Sequence, residues 1–218
     1  MTQQAHAFLI NSPALLNDAR HLMNAINPDN RIAFYSVSAS ISALEAFLNE
    51  MAQFGEGKRV HGISDDIVRM AASLKIAEEN RLPIPTKFLC GYKGLLGTDL
   101  DKGSCQPYQR LRVAIDVRNQ LAHPKAATLQ IGPNGVHSQE QNKLVKKLVS
   151  NGFKIDAKVS YDWHSVVVTF EFALWVYQSV VDCMNLFIDS WPDTHAINSY
   201  KEMYSTSLYT PEQWKQFA

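Results

Sequence analysis

The sequence lacks the motifs by which several enzyme classes are recognised. Its three cysteines, Cys90, Cys105 and Cys183, lie far apart and form no CxxC pair, which argues against a structural zinc site and for a reducing compartment. The seven histidines show no metal-ligand spacing. The segment GYKGLLG lacks the GK[ST] ending of a phosphate-binding loop, and the chain has no GxSxG motif. We therefore expect neither a metal nor a cofactor.

An excess of basic charge is also missing. The chain has 21 Lys and Arg against 21 Asp and Glu, so it lacks the strongly basic footprint of many nucleic-acid-binding proteins. Any contact with a nucleic acid must then use a local patch. The segment NKLVKKL places Lys143, Lys146 and Lys147 close together, where they could contact a phosphate backbone. A solvated helix face is the simpler interpretation of these lysines.

The sequence contains no uninterrupted apolar run of the roughly 20 residues needed to cross a bilayer. The most apolar segment, residues 166–188, contains acidic and amide side chains, so we expect a core helix there. The N-terminal MTQQAHAFLINSPALL has no basic region typical of a signal peptide, and we expect a cytoplasmic protein. A polar stripe follows the last long helix, as either its solvent side or a dimer contact: Glu171, Gln178, Asp182, Asn185 and Asp189.

Helical periodicity dominates the chain, and strand signals are sparse. We predict an all-α fold, an antiparallel helical bundle forming a single domain over residues 1–218, with an insertion at 124–163 before the last long helix. Ser12 and Pro13 suit an N-cap and a first turn. Three glycines weaken the helical pattern of 86–97, a hairpin is expected at 153–163, and the tail at 193–218 is expected to pack loosely. The predicted helices are 12–26, 30–54, 64–80, 106–122, 139–151 and 164–190.

The stretch DVRNQLAHPK, residues 116–125, departs from a simple amphipathic helix. At 100° per residue, Arg118 falls in the middle of the apolar side of its helix. Because an unpaired buried charge costs several kcal/mol, Arg118 needs a partner. Glu45 lies on the apolar side of its own helix and is the best candidate. The two residues then form either a structural ion pair that fixes helix register or part of a polar cleft.

His123 stands directly before Pro124, which disfavours helical backbone at His123 and ends the helix. The helix dipole stabilises a positive charge at such a C-terminus. Taken alone, a histidine there is most often a simple cap. Next to Arg118 and Asn119, it becomes a candidate acid–base group for phosphoryl chemistry.

These residues resemble the HEPN domain family. RNQLAH, Arg118 to His123, resembles the Arg-x4–6-His motif of HEPN domains, with the usual polar residue, Asn119, after the arginine. The helix SVSASISALEAFLNEMA resembles an early HEPN helix, including its acidic residue, Glu45. The resemblance covers roughly residues 12–190, with an insertion longer than the minimal pattern.

The resemblance implies a helical bundle that dimerises and brings two motifs into one cleft. Many HEPN proteins are metal-independent endoribonucleases that act as toxins, anti-phage effectors or RNA-processing enzymes. By this resemblance His123 would transfer a proton, Arg118 would stabilise phosphoryl charge, Asn119 would orient the phosphate or the imidazole, and Glu45 would hold Arg118. The implied partners are single-stranded RNA, a second copy of the chain and an antitoxin protein. Other HEPN proteins have lost catalysis and bind a nucleotide or a protein, and this remains the alternative.

Overall fold

In the computed structural model, the described residues form seven helices and one β-hairpin. The structure describes residues 10–26, 32–54, 63–123, 129–132, 135–155, 166–192, 198, 201–202 and 204. The prediction of an all-α helical bundle is confirmed. The elements are α1 (Ser12–Asn24), α2 (Ile32–Phe54), α3 (Asp65–Glu79), α4 (Ile84–Leu96), α5 (Gln106–Ala122), β1 (Leu129–Gly132), β2 (Gly135–Ser138), α6 (Gln139–Ser150) and α7 (Phe170–Ile188).

Helices α1 and α2 pack as an antiparallel pair. At one end, Glu50 Oε1 of α2 accepts hydrogen bonds from the backbone N–H groups of Asn11 at 2.6 Å and Ser12 at 3.0 Å. At the other end, the Ser36 hydroxyl donates to the carbonyl oxygen of Ala19 at 2.9 Å. The expectation that Ser12 is the N-cap is wrong, because Ser12 is the first helical residue. The Glu50 carboxylate satisfies the orphan N–H groups from outside the helix, where the dipole favours a negative charge.

The centre of the core is a group of aromatic rings on α2, α4 and α7. The ring centroid of Phe187 lies 5.1 Å from that of Phe88 and 5.9 Å from that of Phe47, both in edge-to-face geometry. Trp191 stacks on Phe47 at 6.1 Å. All four side chains are buried, so these rings join the three helices through their largest apolar surfaces.

Tyr204 belongs to the tail that was expected to pack loosely, yet its side chain is fully buried. Its ring lies 5.5 Å from that of Phe47, and its hydroxyl lies 2.7 Å from the Ser12 hydroxyl. The Tyr204 hydroxyl also donates to Glu50 Oε2 at 3.1 Å. The expectation therefore does not hold at this residue, which links the tail to the start of α1.

Helix α4 is continuous even though its glycines weaken the sequence signal. A Cβ atom on Gly94 would lie 2.7 Å from Met70 Cα and 2.9 Å from the Arg69 carbonyl oxygen of α3. The helix ends at Leu96, and its C-cap is Gly97, whose φ of 71° is in the left-handed region that favours glycine. Close approach of two backbones thus requires a glycine inside this helix.

Gly94→Ala should therefore lower the free energy of unfolding by about 1–3 kcal/mol, since the backbone of α3 must move. Gly91→Ala is the matched control, because its Cβ would meet only side-chain atoms, Leu74 Cδ2 at 2.9 Å and Phe187 Cε1 at 3.0 Å. The gain in helix propensity, about 1 kcal/mol, is the same at both sites. Urea denaturation of the two variants compares them directly. Equal losses would contradict the role of the α3 backbone.

Two boundaries near the insertion differ from the prediction. Helix α7 begins at Phe170 rather than near residue 164, because the Thr169 hydroxyl caps it by accepting from the Phe172 N–H at 3.1 Å. A hairpin exists, but it pairs β1 with β2, from Leu129↔Ser138 to Gly132↔Gly135. The predicted hairpin at 153–163 lies mostly outside the described residues, and 153–155 form no strand.

One helix in the described part of the chain, Ile32–Gln53, is long and apolar enough to cross a membrane. Half of its apolar window is buried inside the bundle, where α2 packs against α1, α3 and α7. The core helix of a soluble protein passes the same test, so this is weak evidence for a span.

Candidate functional site

The candidate motif occupies the last turn of α5. The helix starts at Gln106 with Pro107 in its first turn, and it ends at Ala122. His123 leaves helical geometry with φ −131° and ψ 69°, while its backbone N–H still bonds to the Asn119 carbonyl oxygen at 2.9 Å. The prediction that the helix ends at His123 is confirmed.

Arg118 turns part of its side chain into the bundle. The residue is partly buried between buried neighbours on α5, such as Ala114 and Val117. Its Nε atom is fully buried and has no hydrogen-bond partner in the described structure. A buried donor of this kind is unfavourable unless another group accepts from it. The C-terminal end of α5 therefore contains one unsatisfied buried donor.

The predicted partner of Arg118 is wrong. Glu45 Oε1 lies 3.6 Å from Lys87 Nζ, and within the described ranges no ion pair joins Glu45 to Arg118. Lys87 is buried, and its Nζ also contacts the Glu78 carboxylate of α3 and lies 3.5 Å from Asn49 Oδ1. Because a buried ammonium needs anionic partners, Glu45 is held at the junction of α2, α3 and α4. Its carboxylate contacts Lys87 rather than Arg118.

The height of Arg118 along the bundle explains this result. Near the start of α5, Arg110 pairs with Asp182 of α7 at 3.7 Å, and Tyr108 stacks on Phe88, whose ring also contacts Phe187. Since α7 ends at Ile188, α5 must run back along α7 in the antiparallel direction. Arg118 follows Arg110 by two helical turns, roughly 12 Å, and so lies level with the first half of α7.

Asn119 and His123 are both exposed at the end of α5. The backbone hydrogen bond between them places both residues in one turn, directly after the partly buried Arg118. A buried arginine donor beside an exposed imidazole and an exposed amide is an arrangement that can bind a phosphate and exchange protons with it. Arg118, Asn119 and His123 thus all lie at the C-terminal end of α5, whereas Glu45 lies beside Lys87.

The three candidate RNA-binding lysines lie on α6. Lys143, Lys146 and Lys147 are all exposed. Lys147 Nζ lies 3.2 Å from Asp116 Oδ2 of α5, so part of this positive charge is paired with the helix that carries the motif. Lys143 and Lys146 lie three residues apart on the exposed side of α6.

Two titratable groups in the described part of the core have raised pKa values. Burial raises the pKa of the Cys183 thiol well above its usual value and raises the pKa of Tyr177 to about 12. Both groups therefore remain protonated at neutral pH and are poor nucleophiles. Within the described ranges, no group of three His, Cys, Asp or Glu residues could hold a metal ion.

Sequence reasoning missed two polar groups in the interior. One is the group of ion pairs that Lys87 forms with Glu45 and Glu78. The sequence indicated it by placing a lysine within the apolar segment of α4. The other joins Arg110, Asp182 and Gln178 between α5 and α7. Its signal was the polar stripe on the last long helix, which faces α5 at these positions.

Comparison of the chain with protein-family models, with curated proteins and with solved structures finds no match.

Proposed function

We propose that the protein is a HEPN-like, metal-independent endoribonuclease that cleaves single-stranded RNA in the cytoplasm as a homodimer. A toxin or anti-phage effector restrained by an antitoxin protein is the setting that suits this activity. The observation that supports the proposal is the buried, unpartnered Nε of Arg118 near the C-terminal end of α5, where Asn119 and the C-cap residue His123 are exposed.

The proposed reaction uses the 2′-hydroxyl of RNA as the nucleophile. Its oxygen attacks the adjacent phosphorus, the bond from phosphorus to the 5′-oxygen breaks, and a 2′,3′-cyclic phosphate and a 5′-hydroxyl form. His123 either accepts the proton of the 2′-hydroxyl or donates the proton that the leaving 5′-oxygen takes up, and water exchanges the other proton. The planar guanidinium of Arg118 stabilises the charge that develops on the phosphoryl oxygens, and Asn119 orients the phosphate. Glu45 has no part in this mechanism, because it pairs with Lys87.

Cleavage of labelled RNA in EDTA tests the proposal. The purified full chain is incubated with a varied pool of single-stranded RNA and with DNA of the same sequences. We expect RNA products ending in a cyclic phosphate and intact DNA, since DNA has no 2′-hydroxyl. A pool left uncut would instead favour the alternative, a catalytically inactive HEPN-like module that binds a nucleotide or a protein. Cleavage of DNA, or a requirement for metal, would contradict the mechanism.

A further inference from the structure

A second polar group lies between α5, α7 and the residue after α6. Arg110 NH1 lies 3.7 Å from Asp182 Oδ2, and Arg110 Nε donates to the Asn151 carbonyl oxygen at 3.3 Å. Gln178 Nε2 donates to the other Asp182 oxygen at 2.8 Å. The Arg110 and Asp182 side chains are 24% and 29% exposed, so solvent reaches the edge of this group. The positive charge of Arg110 and the negative charge of Asp182 balance each other in this ion pair.

Three other atoms of this region remain without a hydrogen-bond partner in the described residues. Gln178 Oε1 and Asn151 Oδ1 are buried acceptors, and Trp175 Nε1 is a buried donor. Trp175 precedes Gln178 by one turn on α7, and its ring lies 5.9 Å from that of Phe153, close in sequence to Asn151. The three atoms belong to side chains of α7 and of the residue after α6, near the place where both contact the Arg110 group.

Arg118 adds a second buried donor at about the same level along the bundle axis as Trp175. Because α5 runs antiparallel to α7 and Arg110 lies beside Asp182, two turns along α5 correspond to two turns back along α7. This brings Arg118 level with Trp175. The buried Nε of Arg118 and the buried Nε1 of Trp175 both lack an acceptor.

This set of atoms matches the chemistry of a nucleobase. A base edge carries both donors and acceptors, and its flat face stacks on aromatic side chains. Trp175 already stacks on Phe172, at a ring distance of 5.9 Å and an angle of 22°, and remains only partly buried. Native proteins rarely leave several polar atoms unpaired in one place unless water or a ligand satisfies them.

We propose that Trp175, Gln178 and Asn151 recognise one base of an RNA strand whose phosphate lies at Arg118. The choice of an RNA base rests on the proposed function, whereas the set of donors and acceptors does not depend on it. The site would then determine which nucleotide is placed next to the bond that is cut.

Binding of nucleoside 5′-monophosphates to the full chain tests this site. The four tryptophans give four indole N–H signals by nuclear magnetic resonance, and the signal lost in Trp175→Phe identifies Trp175. We expect at least one of AMP, CMP, GMP and UMP to shift that signal. Trp175→Phe and Gln178→Met should each raise its Kd about fivefold to tenfold, since each removes one hydrogen bond. Trp191→Phe, near the opposite end of α7, is the control and should leave the Kd unchanged.

The result separates this site from the proposed function. If no monophosphate shifts the Trp175 signal, ordered water alone satisfies these atoms and the site is rejected, even if RNA is cut. If a monophosphate binds with the expected variant effects while RNA stays uncut, the site stands and the proposed nuclease fails. A loss of affinity in Trp191→Phe equal to that in Trp175→Phe would also overturn the site.

Discussion

His123→Ala should lower the rate of RNA cleavage by a factor of roughly 10² to 10⁴, the usual contribution of a general acid or base. Arg118→Ala should lower it by roughly 10² to 10³, because the developing charge on the phosphoryl oxygens loses a fixed donor. Arg118→Lys should restore little of the rate, since an ammonium lacks the planar fork of a guanidinium. Initial rates on one labelled RNA in EDTA measure all three effects.

Stability measurements distinguish a loss of catalysis from a loss of folded protein. Arg118→Ala strands no carboxylate, because Glu45 pairs with Lys87, and we expect its melting temperature to stay close to that of the wild type. Glu45→Gln is the matched control for the motif and should cut RNA at the wild-type rate. A marked fall in melting temperature in Arg118→Ala would instead indicate a structural ion pair. Loss of cleavage in Glu45→Gln would contradict the assignment of Glu45 to the ion pairs of Lys87.

Phe187→Ala should lower the free energy of unfolding by about 3–5 kcal/mol, the cost of removing a large buried ring. Phe187 is fully buried, and its ring contacts those of Phe47 and Phe88, so the cavity opens where α2, α4 and α7 meet. The packed helices relax only partly around such a cavity, so the space does not close fully. A fall in the urea midpoint with an unchanged slope measures the loss.

Phe170→Ala is the control for this prediction. Phe170 belongs to the same helix but is 37% exposed at its first turn. We expect its substitution to change stability by about 0.5 kcal/mol or less, as for most surface positions. Comparable losses in both variants would contradict the central role of Phe187.

The sequence predicted where the helices lie along the chain better than it predicted the contacts between them. The helix predicted over 64–80 forms as α3, and at its start the Ser64 hydroxyl accepts from the Ile67 N–H at 3.5 Å. Such caps depend on neighbouring residues only, so the sequence contains them. The start of α1 depends on Glu50, which comes from another helix, and the Ser12 cap was therefore predicted wrongly.

The prediction that Glu45 pairs with Arg118 was wrong for a related reason. Helical spacing shows which side of a helix a residue faces, but not how high it lies against a neighbouring helix. Glu45 faces the first turn of α4, where Lys87 lies, whereas Arg118 is in the last turn of α5. The sequence did predict the two ends of α5 and the inward position of Arg118. Both depend only on residues of that helix and not on its packing against another.

The hydrogen bond between Ser12 and Tyr204 has a consequence for synthesis on the ribosome. The two hydroxyls are separated by 192 positions along the chain. Glu50 emerges early and can hold the start of α1 on its own, but Tyr204 reaches it only after every helix between them has left the exit tunnel. Bringing such distant positions together also carries a large loop-closure entropy. During translation the start of α1 therefore remains open to water and to chaperones until Tyr204 arrives to cover it.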